Sequence, residues 1–147
     1  MKKLGIVFAT FVFVLVVSGC SNSGVTQQEQ SEKSKIVQGN IVLGLSGEVS
    51  GMKDLDTFLE AVNNGKQANL QIKQYTDEGD PILQTMEYSN AIIWYTFDNS
   101  QDKFAGTNRG IKTSEYDKVI KEEDKEGIFL TFIDKNGSQN RVFICSK

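Results

Sequence analysis

Apolar and polar positions alternate with two different periods along this chain, and the change of period marks its elements. Ile41-Val42-Leu43-Gly44-Leu45 is a short apolar run that predicts an edge strand. Leu55, Phe58, Leu59 and Val62 then recur at helical spacing, predicting a helix over 52–63. Ser50 stands where an N-cap is expected, Asp54 and Asp56 favour the positive end of the dipole, and Gly65 suits a left-handed stop. After Gly65 the period becomes two: Leu70, Ile72 and Gln74 alternate with Gln71, Lys73 and Tyr75. A turn cluster, Asp77-Glu78-Gly79-Asp80-Pro81, separates this strand from a second over 82–88. Ser89-Asn90 reads as a tight connection to a third strand over 91–97. Residues 99–112 read as a loop, and 114–123 as a short helix with Tyr116, Val119 and Ile120 inward. Two β-rich runs, 128–133 and 141–145, flank Asn136-Gly137, which favours a type I′ hairpin turn.

The sum predicts an α+β domain over 40–147. One antiparallel sheet of about five strands carries one helix on a face, with a second short helix beside it. Short connections favour antiparallel pairing throughout.

The N-terminal pattern is of another kind. Lys2 and Lys3 precede an apolar stretch, Leu4 to Val17, broken only by Gly5 and Thr10. As a helix it would extend roughly 21 Å, short of the ~30 Å of a hydrocarbon core, so it reads as a signal-peptide core over 1–19. It ends in Val17-Ser18-Gly19-Cys20, which resembles the lipobox of bacterial lipoproteins. The resemblance implies that the Cys20 thiol receives a diacylglyceryl group and that cleavage leaves Cys20 at the mature N-terminus. Such a chain is held by lipid at the extracytoplasmic face of the cell membrane, because two acyl chains anchor stably where one does not. Residues 20–39 then form a Ser-, Gln-, Glu- and Lys-rich flexible linker with little to bury.

Charge narrows the classes. The chain has 16 Lys+Arg against 19 Asp+Glu, and losing Lys2 and Lys3 would make it more acidic still. That excludes an electrostatic nucleic-acid binder. There is no histidine, which removes the usual general base and the commonest metal ligand. With Cys20 lipidated, Cys145 has no disulfide partner and reads as a small buried hydrophobe. No G-x-S-x-G motif is present. Trp94 and Tyr95, in the third strand, read as core, with the lining of a ligand site as the alternative. The sequence therefore predicts no enzyme.

Residues 74–82 (QYTDEGDPI) and 95–104 (YTFDNSQDKF) resemble a group of small Firmicute lipoproteins with a C-terminal domain of unknown function. The resemblance covers the whole predicted domain and implies a Gram-positive cell membrane. It brings no activity with it.

One constellation remains. If Ser89-Asn90 is a two-residue loop, Tyr88 faces Ala91 and Asp98 faces Pro81. Asp77, Glu78, Asp80, Asp98 and Asp102 would then gather at one end of the sheet. Ca²⁺ takes six to eight oxygens, so this cluster is a candidate site for Ca²⁺ or a cationic partner. The alternative is that these residues form turns and their carboxylates point into water. No other cofactor is expected. The function expected is a non-catalytic binding or interaction module of the envelope, with an envelope protein as a possible partner. The alternative is an inhibitor or immunity-like protein occupying a partner's site, and a small hydrolase is the remaining class.

Overall fold

The computed structural model describes residues 36–146, so the predicted signal peptide, Cys20 and most of the predicted linker lie outside the described residues. The chain runs β1 (Val37–Leu43), β2 (Val49–Ser50), α1 (Met52–Asn63), β3 (Ala68–Tyr75), β4 (Pro81–Ser89) and β5 (Ile92–Asp98). A 3-10 turn (Gly106–Asn108) leads into β6 (Ile111–Tyr116), β7 (Lys118–Glu123), β8 (Ile128–Ile133) and β9 (Gln139–Cys145). The described residues are thus mostly β, with nine strands and one α-helix, which corrects the expected α+β class. They form a six-stranded sheet of order β2-β1-β3-β4-β5-β6 and a three-stranded sheet of order β7-β8-β9. Among them no helix is long and apolar enough to cross a membrane.

α1 occupies the residues its periodicity predicts and buries Leu55, Phe58 and Ala61. Its N-cap is Gly51 with φ 82° rather than Ser50, and no side chain caps it. A side chain at Gly51 would run into the Asn40 carbonyl, so the close approach of β1 selects glycine there. The C-terminal end is a Schellman motif: Gly65 N–H donates to Val62 O and Lys66 N–H to Ala61 O.

The expectation of wholly antiparallel pairing fails at β1. Strand β1 starts at Val37, ahead of the expected boundary at 40, and pairs parallel with β3 from Val37↔Ala68 to Val42↔Lys73. α1 supplies the long crossover that parallel neighbours require. Its Asp54 Oδ2 accepts the Asn40 N–H of β1 at 2.9 Å, ahead of the short β1–β2 pairing at Val42↔Ser50 and Leu43↔Val49.

The expected helix over 114–123 is instead parts of β6 and β7, joined at Asp117, whose N–H donates to Ile133 O. Three apolar residues at helical spacing were too few to bury a helix there. Two β-branched residues, Val119 and Ile120, serve a strand equally well. The β4–β5 loop is Asn90-Ala91, with φ of 52° and 62°, and Ser89 pairs with Ile92. A type I′ turn needs positive φ at both loop residues, and Asn90 tolerates it. The register therefore differs from that expected, and Asp98 faces Leu83 rather than Pro81. The β8–β9 connection is also wider than a two-residue turn. Ile133 pairs with Gln139, and Asp134 Oδ1 accepts from Asn136 N–H and Ser138 N–H, with Gly137 at φ 81°.

One face of the large sheet makes the core. Leu70, Ile72, Met86, Ile93 and Tyr95 pack against α1 and against Leu130, Phe132 and Ile144 of the small sheet. Phe132 joins the two sheets, its ring centroid 4.9 Å from that of Tyr95 and 5.1 Å from that of Tyr116.

Candidate functional site

The acidic residues singled out from the sequence fall at the end of β4–β5 and in the loop after it, but they do not converge. Asp80 is buried at the start of β4, and its Oδ2 accepts the Lys103 backbone N–H at 3.0 Å. Its Oδ1 lies 3.2 Å from Lys103 Nζ. The Lys103 backbone donor is the main cause that holds the Asp80 carboxyl below its ordinary value, against the opposing pull of burial. Asp98 Oδ1 accepts Ser100 N–H at 2.8 Å, and the Ser100 side chain first, then this N–H, hold its carboxyl below the ordinary value too. Asp102 Oδ1 accepts Phe104 N–H at 2.8 Å. Asp77 and Glu78 are exposed in the β3–β4 turn, where Gly79 takes φ 85°. Among the described residues no three acidic, histidine or cysteine groups are placed to hold a metal ion.

These acids brace a loop. Asn99, itself buried, receives the Gly110 N–H on its Oδ1 at 2.8 Å and donates its own N–H to the Gly110 carbonyl. Arg109 Nε donates to Ser100 O at 2.6 Å. Residues 99–110 are thereby closed at the base by Asn99–Gly110 and tied to the sheet through Asp80–Lys103. The sequence offered Asp77, Glu78, Asp80, Asp98 and Asp102 as a candidate Ca²⁺ or cationic-partner site, with solvated turn residues as the alternative; of these, Asp80, Asp98 and Asp102 accept loop N–H groups.

Cys145 is buried at the end of β9, and desolvation raises its thiol pKa, so it is a poor nucleophile. Tyr95 is core, as read: its hydroxyl donates to Gln84 Oε1 at 2.9 Å, and burial pushes its pKa up to about 12. Trp94 is not core. It points to the opposite face and is 38% exposed.

That opposite face is the feature the sequence reading missed. Neither α1 nor the small sheet covers it. Strand register lines up Gln38, Asn69, Glu87, Trp94 and Glu115 in one cross-strand row. Asn40, Gln71, Thr85, Thr96 and Thr113 form the next row along the strands. None of these ten side chains is buried. Thr96 Oγ1 and Thr113 Oγ1 lie 2.9 Å apart, one donating to the other. A shallow hollow of about 330 Å³ opens between Gln38, Asn40, Asn69, Gln71 and Thr85. The alternation of these residues along each strand was visible in the sequence. Their alignment into rows was not, because it requires the parallel β1–β3 register and the position of the β4–β5 turn.

No curated protein and no solved structure matches the chain. A family model does match, over residues 39–130, from the first strand into β8. The chain belongs to the family described as Domain of unknown function (DUF4362).

Proposed function

We propose that this chain is a lipid-anchored extracytoplasmic lipoprotein whose DUF4362 domain is a non-catalytic binding module of the cell envelope. The observation that carries the reading is the order Lys2-Lys3, apolar run, Val17-Ser18-Gly19-Cys20. It has the charge, length and small-residue pattern of a lipoprotein signal, and the thiol of Cys20 is the acceptor. The likeness to small Firmicute lipoproteins adds a Gram-positive cell membrane as the site of anchoring. A binding role is favoured over catalysis by what the reactive side chains do. Asp80, Asp98 and Asp102 accept loop N–H groups, Cys145 is buried, and the chain has no histidine to act as a base.

The test is metabolic labelling with radioactive palmitate in a bacterial host, comparing the chain with Cys20→Ala. Label in the membrane fraction that disappears with Cys20→Ala supports anchoring. Label that persists in the variant contradicts it.

A further inference from the structure

We propose that the free edge of β6 is a self-association surface, on which two copies of this chain pair antiparallel about a two-fold axis through Thr113. The proposal goes beyond the reading above and does not rest on it. β6 ends the large sheet, and β5 is its neighbour there. Ile111, Lys112, Thr113, Ser114 and Glu115 are all exposed. Asn99 N–H donates to the Gly110 carbonyl, so Gly110 directs that carbonyl at β5. Bonding direction alternates along an antiparallel strand. Lys112 and Ser114 therefore bond to β5, while Ile111, Thr113 and Glu115 aim N–H and C=O away from it. Asp117 continues the outward series, and its N–H leaves the sheet to reach Ile133 O. Among the described residues no backbone group meets those that Ile111, Thr113 and Glu115 turn outward.

An open row of this kind is a template for another strand, and folded proteins ordinarily blunt it. The other strand edges of this domain are blunted. At the far side of the large sheet β2 is two residues long, and the Asn40 N–H of β1 is taken by Asp54. In the small sheet β7 is crowded with Lys118, Lys121, Glu122 and Glu123. The β8–β9 ladder shifts register between Ile128 and Phe129. β6 has neither proline nor glycine, and it pairs with β5 in unbroken register.

The outward backbone groups call for an extended strand, and the side chains fit a second copy. A two-fold axis that joins two antiparallel edges stands normal to the sheet, so each residue meets one from the same face. The axis must then pass through a residue. At Lys112 or Glu115 it would oppose like charges. At Ser114 it would bring Ile111 opposite Asp117, whose N–H is already given to Ile133 O. At Ile111 or Tyr116 it would engage the strand ends alone. At Thr113 it brings Ile111 opposite Glu115, Lys112 opposite Ser114 and Thr113 opposite itself. No like charges are opposed, and Ile111, Thr113 and Glu115 exchange about six backbone hydrogen bonds between the copies. Ile111, 64% exposed in the single chain, gains cover. Both open edges are used up, so assembly stops at two.

The experiment is cysteine crosslinking in membranes of an expressing bacterium. Cys20→Ala is the background, which leaves buried Cys145 as the other thiol and makes the result independent of lipid anchoring. In it Thr113→Cys should give a disulfide-linked dimer under mild oxidation, because the axis sets the two residues opposite each other. Ser114→Cys faces Lys112 of the second copy and should stay monomeric. Sedimentation of the full chain in a polyoxyethylene detergent should show a dimer. Thr113→Pro should be a folded monomer by sedimentation and circular dichroism, since the N–H it loses points away from β5. Ser114→Pro removes a donor to β5 and should melt lower than Thr113→Pro. A parent chain that sediments as a monomer overturns the proposal and leaves the edge to a strand of another protein. A dimer that survives Thr113→Pro, equal melting of the two proline variants, or crosslinking through Ser114→Cys in place of Thr113→Cys overturns it as well.

Discussion

Tyr95→Phe isolates one buried hydrogen bond that ties β4 to β5. The ring stays, so its packing on Phe132 at 4.9 Å is kept and only the hydroxyl is lost. That hydroxyl is 2.9 Å from Gln84 Oε1, and the two residues are 7% and 2% exposed. Water does not replace the bond at that depth. The variant therefore loses the net value of a hydrogen bond, about 1 kcal/mol, and strands a buried carboxamide, for a total of about 1–3 kcal/mol. For a domain of this size ~1 kcal/mol moves the melting temperature by roughly 4–8 °C, so a fall on the order of 5–15 °C is expected. Gln84→Met alone should cost a comparable amount, because it strands the hydroxyl instead. The double variant has neither polar group and should recover to within about 1 kcal/mol of the parent, since removing both partners is far less costly than removing one. Thermal and urea melts followed by circular dichroism would measure all four chains, each starting at Ser21. Additive losses in the double variant, or an unchanged melt for Tyr95→Phe, would refute the buried pair.

Three other predictions concern the boundary, the acid-braced loop and the thiol. A chain starting at Lys35 should melt like one starting at Ser21, whereas one starting at Asn40 should melt several degrees lower, because it lacks Val37–Gly39 and their pairing with Ala68–Leu70; equal melting of all three would contradict the parallel strand. Asp80 and Asp98 have folded-state values below the ordinary 3.8, so their contribution is present above that value and is lost as pH falls through the depressed folded values. The amide proton of Lys103 should accordingly shift with a midpoint below 3.8 in an NMR titration, and a midpoint at or above it would break the Asp80–Lys103 assignment. Cys145 should react slowly with a thiol reagent in the native chain and fast in denaturant; rapid native labelling would contradict its burial.

Local pattern made part of this architecture legible. α1 announced itself because Leu55, Phe58, Leu59 and Val62 form one apolar stripe and Gly65 ends it. Strands β3, β4, β5, β8 and β9 were legible from alternation and β-branched runs. The second sheet was hidden by Lys121. It occupies an inward-facing position of β7, opposite Leu130, and its amine reaches Asp56 at 2.9 Å and Glu123 at 3.3 Å. A lysine at an inward position erases the period-two signal, and KVIKEE then reads as a solvated helix face. The parallel pairing of β1 was illegible for a different reason. It depends on α1 carrying the chain across the sheet, which no local window contains.

The candidate sites follow the same division. That Asp80, Asp98 and Asp102 fall near one sheet end was readable from turn chemistry, whereas the part played by Lys103 was not. Their task was not, because the acceptors of loop N–H groups appear only once the loop is closed. The shift of the β4–β5 turn from Ser89-Asn90 to Asn90-Ala91 moved every cross-strand partner, which decides whether Trp94 sits beside Glu87 or elsewhere.

The most direct measurement of the central claim is mass spectrometry of the chain recovered from the membranes of an expressing bacterium. The account predicts a mature protein whose first residue is Cys20 carrying a diacylglyceryl group. A mature chain that starts elsewhere, or that carries Cys20 as a free thiol, would contradict it.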